Sequence, residues 1–149
     1  MSQDKSQQNE MFDRGLAIRR EVLGNSYVDQ AIKKAASEPF LLPVQQLATE
    51  FAWGALWSRP GLERKIRSFL SMAFLAANGE YEELRSHVRG AVNNGATREE
   101  ICEVLLHAGA YCGLPVALHG TRVAKEVLDE MSSERRSDKQ RKLHMGADR

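Results

Sequence analysis

The sequence predicts an all-α fold, a compact bundle of about six helices. Three observations predict it. Apolar residues recur at i, i+3 and i+4 spacing along most of the chain, turn-forming residues fall between those periodic stretches, and no stretch reads as a run of strands.

The first element spans residues 11–23 and places Phe12, Leu16, Arg19 and Leu23 near one face. Gly24 and Asn25 then stop it. A weaker helical segment covers 28–36. Pro43 fits the first turn of a helix through residue 55. Ser58-Arg59-Pro60-Gly61 is turn chemistry between two helices. Residues 62–78 form a strongly apolar helix, with Phe69, Leu70, Met72, Ala73, Phe74, Leu75, Ala76 and Ala77. Being apolar nearly all round, it is expected to be the central buried helix. Gly79 ends it.

Residues 80–94 carry the stripe Tyr81, Leu84, Val88, Ala91 and Val92, closed by Asn94-Gly95. Thr97 opens the next helix, and Thr97 with Glu100 makes the S/T-x-x-E capping-box pattern. Its stripe is Ile101, Val104, Leu105, Ala108 and Cys112, stopped by Gly113. Cys112, at the stripe centre, reads as a small core residue. Pro115 starts the last helix, with Val116, Gly120, Val123 and Val127 along one face.

Length and charge bound the function. The chain has 149 residues, one ordinary domain, and a formal net charge of +1. No global charge points to nucleic acid or a membrane surface. No apolar run approaches the roughly 20 residues that span a bilayer. The polar start, residues 1–9, shows no leader segment and is expected to be disordered, which makes a cytoplasmic location the expectation. The domain proper is expected over residues 10–131. Residues 132–149 carry six Lys/Arg against three Asp/Glu and read as a basic flexible tail. Cys102 and Cys112, ten positions apart on one helical stretch, would lie about 15 Å apart, beyond disulfide reach. No cysteine–histidine zinc spacing occurs, so no metal is expected.

The candidate chemistry sits on the flanks of two apolar stripes. Glu80, Glu83 and His87 share one flank of the 80–94 helix. Glu83 and His87 are an i, i+4 pair. A carboxylate beside an imidazole raises its pKa and orients it, the equipment of a general acid or base. The same pair also occurs on solvated helix faces. His107 and Tyr111 repeat the i, i+4 arrangement on the next helix, as pocket residues or as caps of a core edge. His119 is a weaker third candidate. Arg64 and Arg67 could fork onto a carboxylate. Arg67 opens the most apolar helix, so its charge calls for an anion, either a substrate carboxylate or a structural Glu. Trp53 and Trp57, also i, i+4, read as core or subunit contacts.

Two runs, WGALWSRPGLERKIRS (53–68) and ELRSHVRGAVNNGATREEICEVLLHAGAYCGLPVA (83–117), resemble the carboxymuconolactone decarboxylase family. The resemblance covers roughly residues 11–130. It implies the helical fold of the alkylhydroperoxidase AhpD-like superfamily and a homo-oligomer, a trimer or hexamer. It implies a cofactor-independent decarboxylase of a small cyclic (lactone) carboxylic acid, as in aromatic-compound catabolism by the β-ketoadipate pathway. A related lyase or isomerase on another cyclic acid of a biosynthetic pathway, or a non-enzymatic helical oligomer, are the alternatives. The thiol-peroxidase branch carries Cys-x-x-Cys-x-x-x-His. Aligning that His with His87 puts Glu80 and Glu83 at the cysteine positions, which disfavours redox chemistry. On this resemblance the catalytic candidates are His87 (proton donor), Glu83 (its orienter), and His107 or Tyr111 (oxyanion donors). The substrate-binding candidates are Arg67, Arg64, Trp53 and Glu80.

Overall fold

A computed structural model describes residues 2–147, with side chains described over 10–145. The fold is all-α, as the sequence predicts: seven α-helices and no strand among the described residues. In order these are α1 (Ser2–Leu23), α2 (Asn25–Ser37), a 3₁₀ turn (Pro39–Leu41), α3 (Leu42–Leu47), a π-helical stretch (Ala48–Leu56), α4 (Arg64–Asn78), α5 (Tyr81–Asn93), α6 (Arg98–Cys112) and α7 (Leu114–Ala147). The four glycines read as stops, Gly24, Gly79, Gly95 and Gly113, all have φ between 74° and 107°, the left-handed region that side chains avoid. The capping box also forms. Thr97 Oγ1 accepts from the Glu100 amide at 3.1 Å, and the Thr97 amide donates to Glu100 Oε2 at 2.9 Å.

The chain divides into two compact units. The first comprises residues 2–68 with Asn93–Gly95. Its core is Ile18, Val22 and Leu23 of α1, Val28 of α2, and Trp53 and Trp57. The two indoles lie 4.8 Å apart and tilted by 32°. Helix α1 packs tightly on the π-helical stretch because Gly15 and Gly54 bear no side chain. A Cβ on Gly15 would stand 2.1 Å from the Thr49 carbonyl oxygen, and one on Gly54 would stand 2.3 Å from that of Met11.

The sequence reads residues 43–55 as one α-helix; the structure splits it. The Thr49 hydroxyl donates to the Gln45 carbonyl at 2.8 Å, which competes with the α ladder. Beyond it the ladder widens, as in the Trp57 amide's bond to the Ala52 carbonyl at 2.9 Å.

The second unit comprises Phe69–Val92 and residues 96–147. Its core draws Met72 and Ala76 from α4, Leu84, Val88 and Ala91 from α5, Ile101 and Leu105 from α6, and Ala124, Val127 and Met131 from α7. Arg85 bridges to Glu126 and Glu130, and Arg89 to Glu130 and Glu134. Each buried Leu, Val or Met contributes roughly 1.5–3 kcal/mol, whereas such partly exposed ion pairs contribute under about 1 kcal/mol. The apolar core therefore holds this unit, and the ladder fixes register between α5 and α7.

Two expectations change here. Helix α4 is not wholly buried: Met72 and Ala76 are, but Leu70 is 42% and Phe74 65% exposed. Its outward apolar residues, Ile66, Leu70 and Phe74, recur every fourth position. Cys112 is exposed rather than in the core. It is the last residue of α6, and the helix ends before α7 can cover that turn. Helix α7 itself continues through residue 147, and every residue over 132–145 is exposed.

Candidate active site

Helix α5 carries His87 between two buried neighbours, Ser86 and Val88. Burial sets its chemistry. The imidazole pKa is pushed down to about 4 from 6.5, with desolvation the larger cause and the charge of Glu83 opposing it. The sequence expectation of a raised pKa is thus reversed. Glu83 is exposed, so water screens its pull, while the imidazolium loses its hydration. At pH 7 the ring is neutral. Glu80 is also exposed at the start of α5, its amide donating to the Leu75 carbonyl at 2.9 Å.

Within the first unit, Arg67 and Arg64 part ways. Arg64 reaches the surface and pairs with Glu21. Arg67 is only 8% exposed. Its Nη2 donates to the Arg59 carbonyl at 3.0 Å, and its buried Nε has no hydrogen-bond partner among the described residues. No carboxylate pairs with it there. The structural Glu that the sequence allowed for is therefore absent from among those residues, and the buried cation is left with a single neutral acceptor. Trp53 is buried in the first unit's core beside Trp57.

His107 and Tyr111 stack on α6, ring centroids 5.0 Å apart, but both are exposed, Tyr111 by 81%. Hydrogen-bond donors in open water stabilise an oxyanion weakly. His119 meets Tyr81 edge-on, with Nδ1 at 3.1 Å from the phenol oxygen, also at the surface.

Sequence reasoning passed over Arg19. It is buried on α1, 8% exposed, and was read only as part of a helix face. A signal was present: its i±3 and i±4 neighbours are Leu16, Val22, Gly15 and Leu23, so no acid on its own helix could neutralise it.

The groove between α6 and α7, about 470 Å³, is lined by Ile101, Cys102, Leu105, Leu118 and Arg122 among others. It contains none of the candidate catalytic or substrate-binding residues. Of its cations, Arg98 and Lys125 are both engaged with Asp129. Both cysteines are exposed free thiols. Among the described residues no cluster of three or more His, Cys, Asp or Glu could hold a metal ion, and no helix is long and apolar enough to cross a membrane.

Comparison with known proteins decides the family. The profile of the carboxymuconolactone decarboxylase family matches residues 43–126. The chain belongs to the carboxymuconolactone decarboxylase family. Among its relatives, nitrosuccinic acid decarboxylase of Metarhizium robertsii is 44% identical over 121 residues, covering 81% of this chain and 83% of the relative. The 4-carboxymuconolactone decarboxylase of Acinetobacter baylyi is 39% identical over 120 residues, covering 80% and 88%. As a carboxymuconolactone decarboxylase family member with named decarboxylases at this identity, the chain is a carboxy-lyase.

Proposed function

We propose that the chain releases CO2, without a cofactor, from a small acid that carries two carboxylates and an electron sink next to the one that leaves. The observation that carries this reading is Arg67, a buried guanidinium with no carboxylate partner among the described residues. A substrate carboxylate supplies the missing charge. The substrates named for the two relatives fit the class. 4-Carboxymuconolactone has a conjugated lactone as sink, and nitrosuccinic acid has a nitro group.

The reaction divides into separate demands. The carbon–carboxylate bond breaks, CO2 departs, and the electron pair spreads to an oxygen of the lactone carbonyl or nitro group. A proton later reaches the carbon. Arg67 anchors the carboxylate that stays. His87, neutral at pH 7, is a poor acid but a sound N–H donor, so its role is to hydrogen-bond the oxygen that gains charge, and solvent supplies the proton. This replaces the proton-donor role expected from the sequence. Glu83 keeps its role of orienting His87.

The test is CO2 release from 4-carboxymuconolactone and from nitrosuccinate by the purified chain. Replacing His87 by Ala should lower kcat by about 10²–10³ with little change in KM. Replacing Arg67 by Met, which keeps bulk, should mainly raise KM. Unchanged turnover in the folded His87→Ala variant would sink the role given to His87.

Release from the lactone alone would favour the catabolic substrate, and release from nitrosuccinate alone an acyclic acid. The apolar stripe Ile66, Leu70, Phe74 on α4 supports a homo-oligomer, trimer or hexamer, as part of the same proposal. Its mass by light scattering tests that.

A further inference from the structure

Among the described residues the first unit buries two guanidiniums, and neither pairs with a carboxylate there. Arg67 is one; Arg19 is the other. Arg19 Nη1 donates to Gln45 Oε1 at 3.1 Å and to Thr49 Oγ1 at 3.3 Å. Its buried Nε has no hydrogen-bond partner among the described residues. Both acceptors are neutral. Burial holds the Arg19 pKa below its ordinary value, with Tyr27 opposing.

The contrast with the other arginines is sharp. The five that pair with carboxylates among the described residues, Arg20, Arg64, Arg85, Arg89 and Arg98, keep 26% to 51% of their side chains exposed. Among the described residues, carboxylates thus pair with the more exposed arginines and not with the two buried ones, whose charge is the costlier to leave unpaired.

Arg19 is also held in place. Gly15, one turn before it on α1, lies against the Thr49 carbonyl, and Gly54 against that of Met11. No side chain can enter either contact, so α1 and the π-helical stretch cannot slide apart without losing it. Thr49, whose hydroxyl accepts from Arg19, donates onward to the Gln45 carbonyl at 2.8 Å. The guanidinium is set by packing and by its neutral bonds before any ligand arrives.

Two buried cations match a bound charge of −2. In the proposed reaction that charge is conserved. It begins on two carboxylates and ends on one carboxylate and one sink oxygen. Charge matching of the bound dianion calls for one cation at each anionic end. We propose that Arg19 is the second of these, a substrate-binding arginine that takes the anionic end opposite the one held by Arg67. This rests on the decarboxylase reading above.

The experiment uses succinate, an unreactive dicarboxylate, and monomethyl succinate, its singly charged counterpart, titrated calorimetrically into the full-length chain. The wild type should prefer succinate by about tenfold or more. In Arg19→Gln that preference should fall to within about twofold, and Arg19→Lys, which keeps the charge but not the fork, should lie between. An unchanged preference in folded Arg19→Gln overturns the proposal.

A changed oligomer mass in Arg19→Gln, with the succinate preference intact, also overturns it, because the matching carboxylate would then come from a second copy. Should Arg19→Gln fail to fold, Arg19→Lys alone decides: a wild-type preference there counts against the role given to the Arg19 fork. If wild type shows the preference but releases CO2 from neither acid, the substrate reading fails while the Arg19 site stands. CO2 release with no loss of preference in Arg19→Gln gives the reverse.

Discussion

Glu83 stands one helical turn before His87 on α5, yet its charge does not set the protonation of the ring: burial holds the imidazole pKa at about 4 against the carboxylate's pull. The sign follows from placement. Glu83 is exposed and screened, while His87 would have to shed hydration to become charged. Replacing Glu83 by Gln should therefore push the His87 pKa lower still, read from the ring resonances in an NMR titration. A rise would mean that Glu83 acts on His87 mainly through something other than its charge. The fold should be little affected, since substitutions at exposed positions usually change stability by under about 0.5 kcal/mol.

The same shift makes stability depend on pH. Between pH 6.5 and about 4 the unfolded chain protonates this histidine and the native chain does not. Protons then favour the unfolded state, so stability falls as pH drops through that window and levels off below it. The loss amounts to about 3 kcal/mol at most. Carboxylates titrate in both the wild type and a His87→Gln variant, so the difference between their urea midpoints isolates the effect. The wild type should lose stability faster than His87→Gln between pH 6.5 and 4. Parallel curves would mean the native ring stays ordinary.

Much of the fold was legible because local chemistry decided it. Thr97 with Glu100 could only pay off as a cap, and Gly24, Gly79, Gly95 and Gly113 mark places where the backbone must turn left-handed. Tertiary placement was less legible. Helix α4 is apolar all round, and periodicity cannot say which of its faces the chain covers. Residues 48–56 look α-helical by composition, and the wider winding emerges only with Thr49 bonded back to Gln45. Sequence spacing puts Glu83 near enough for its charge to act on His87, but it could not weigh that charge against burial. Arg19 looked like one more helix-face arginine until it proved to be buried on the neutral acceptors Gln45 and Thr49.

The capping box allows a small, clean test. Thr97→Ala removes the acceptor for the Glu100 amide and leaves the Glu100 side chain without a reciprocal partner. The expected cost is about 1 kcal/mol, seen as a lower urea midpoint with an unchanged slope. Thr97→Ser should restore most of it. Equal loss in both variants would assign the effect to the methyl group instead of the hydroxyl.

The tightest backbone contact of the first unit makes the severest prediction. Gly15→Ala would put a methyl 2.1 Å from the Thr49 carbonyl oxygen and 2.7 Å from the Gly54 amide nitrogen. These are backbone atoms, so no side chain can swing aside, and α1 must move off the π-helical stretch. The movement would also pull Arg19 from Gln45 and Thr49. A destabilisation of about 3 kcal/mol is expected. Gly24→Ala is the matching control. A Cβ there meets nothing within 4 Å, but φ is 89°, so its cost is conformational strain of about 1–2 kcal/mol. Urea unfolding of both variants separates steric overlap from strain. Gly15→Ala should be the weaker protein, and a ranking the other way round would mean that α1 and the π-helical stretch part at little cost.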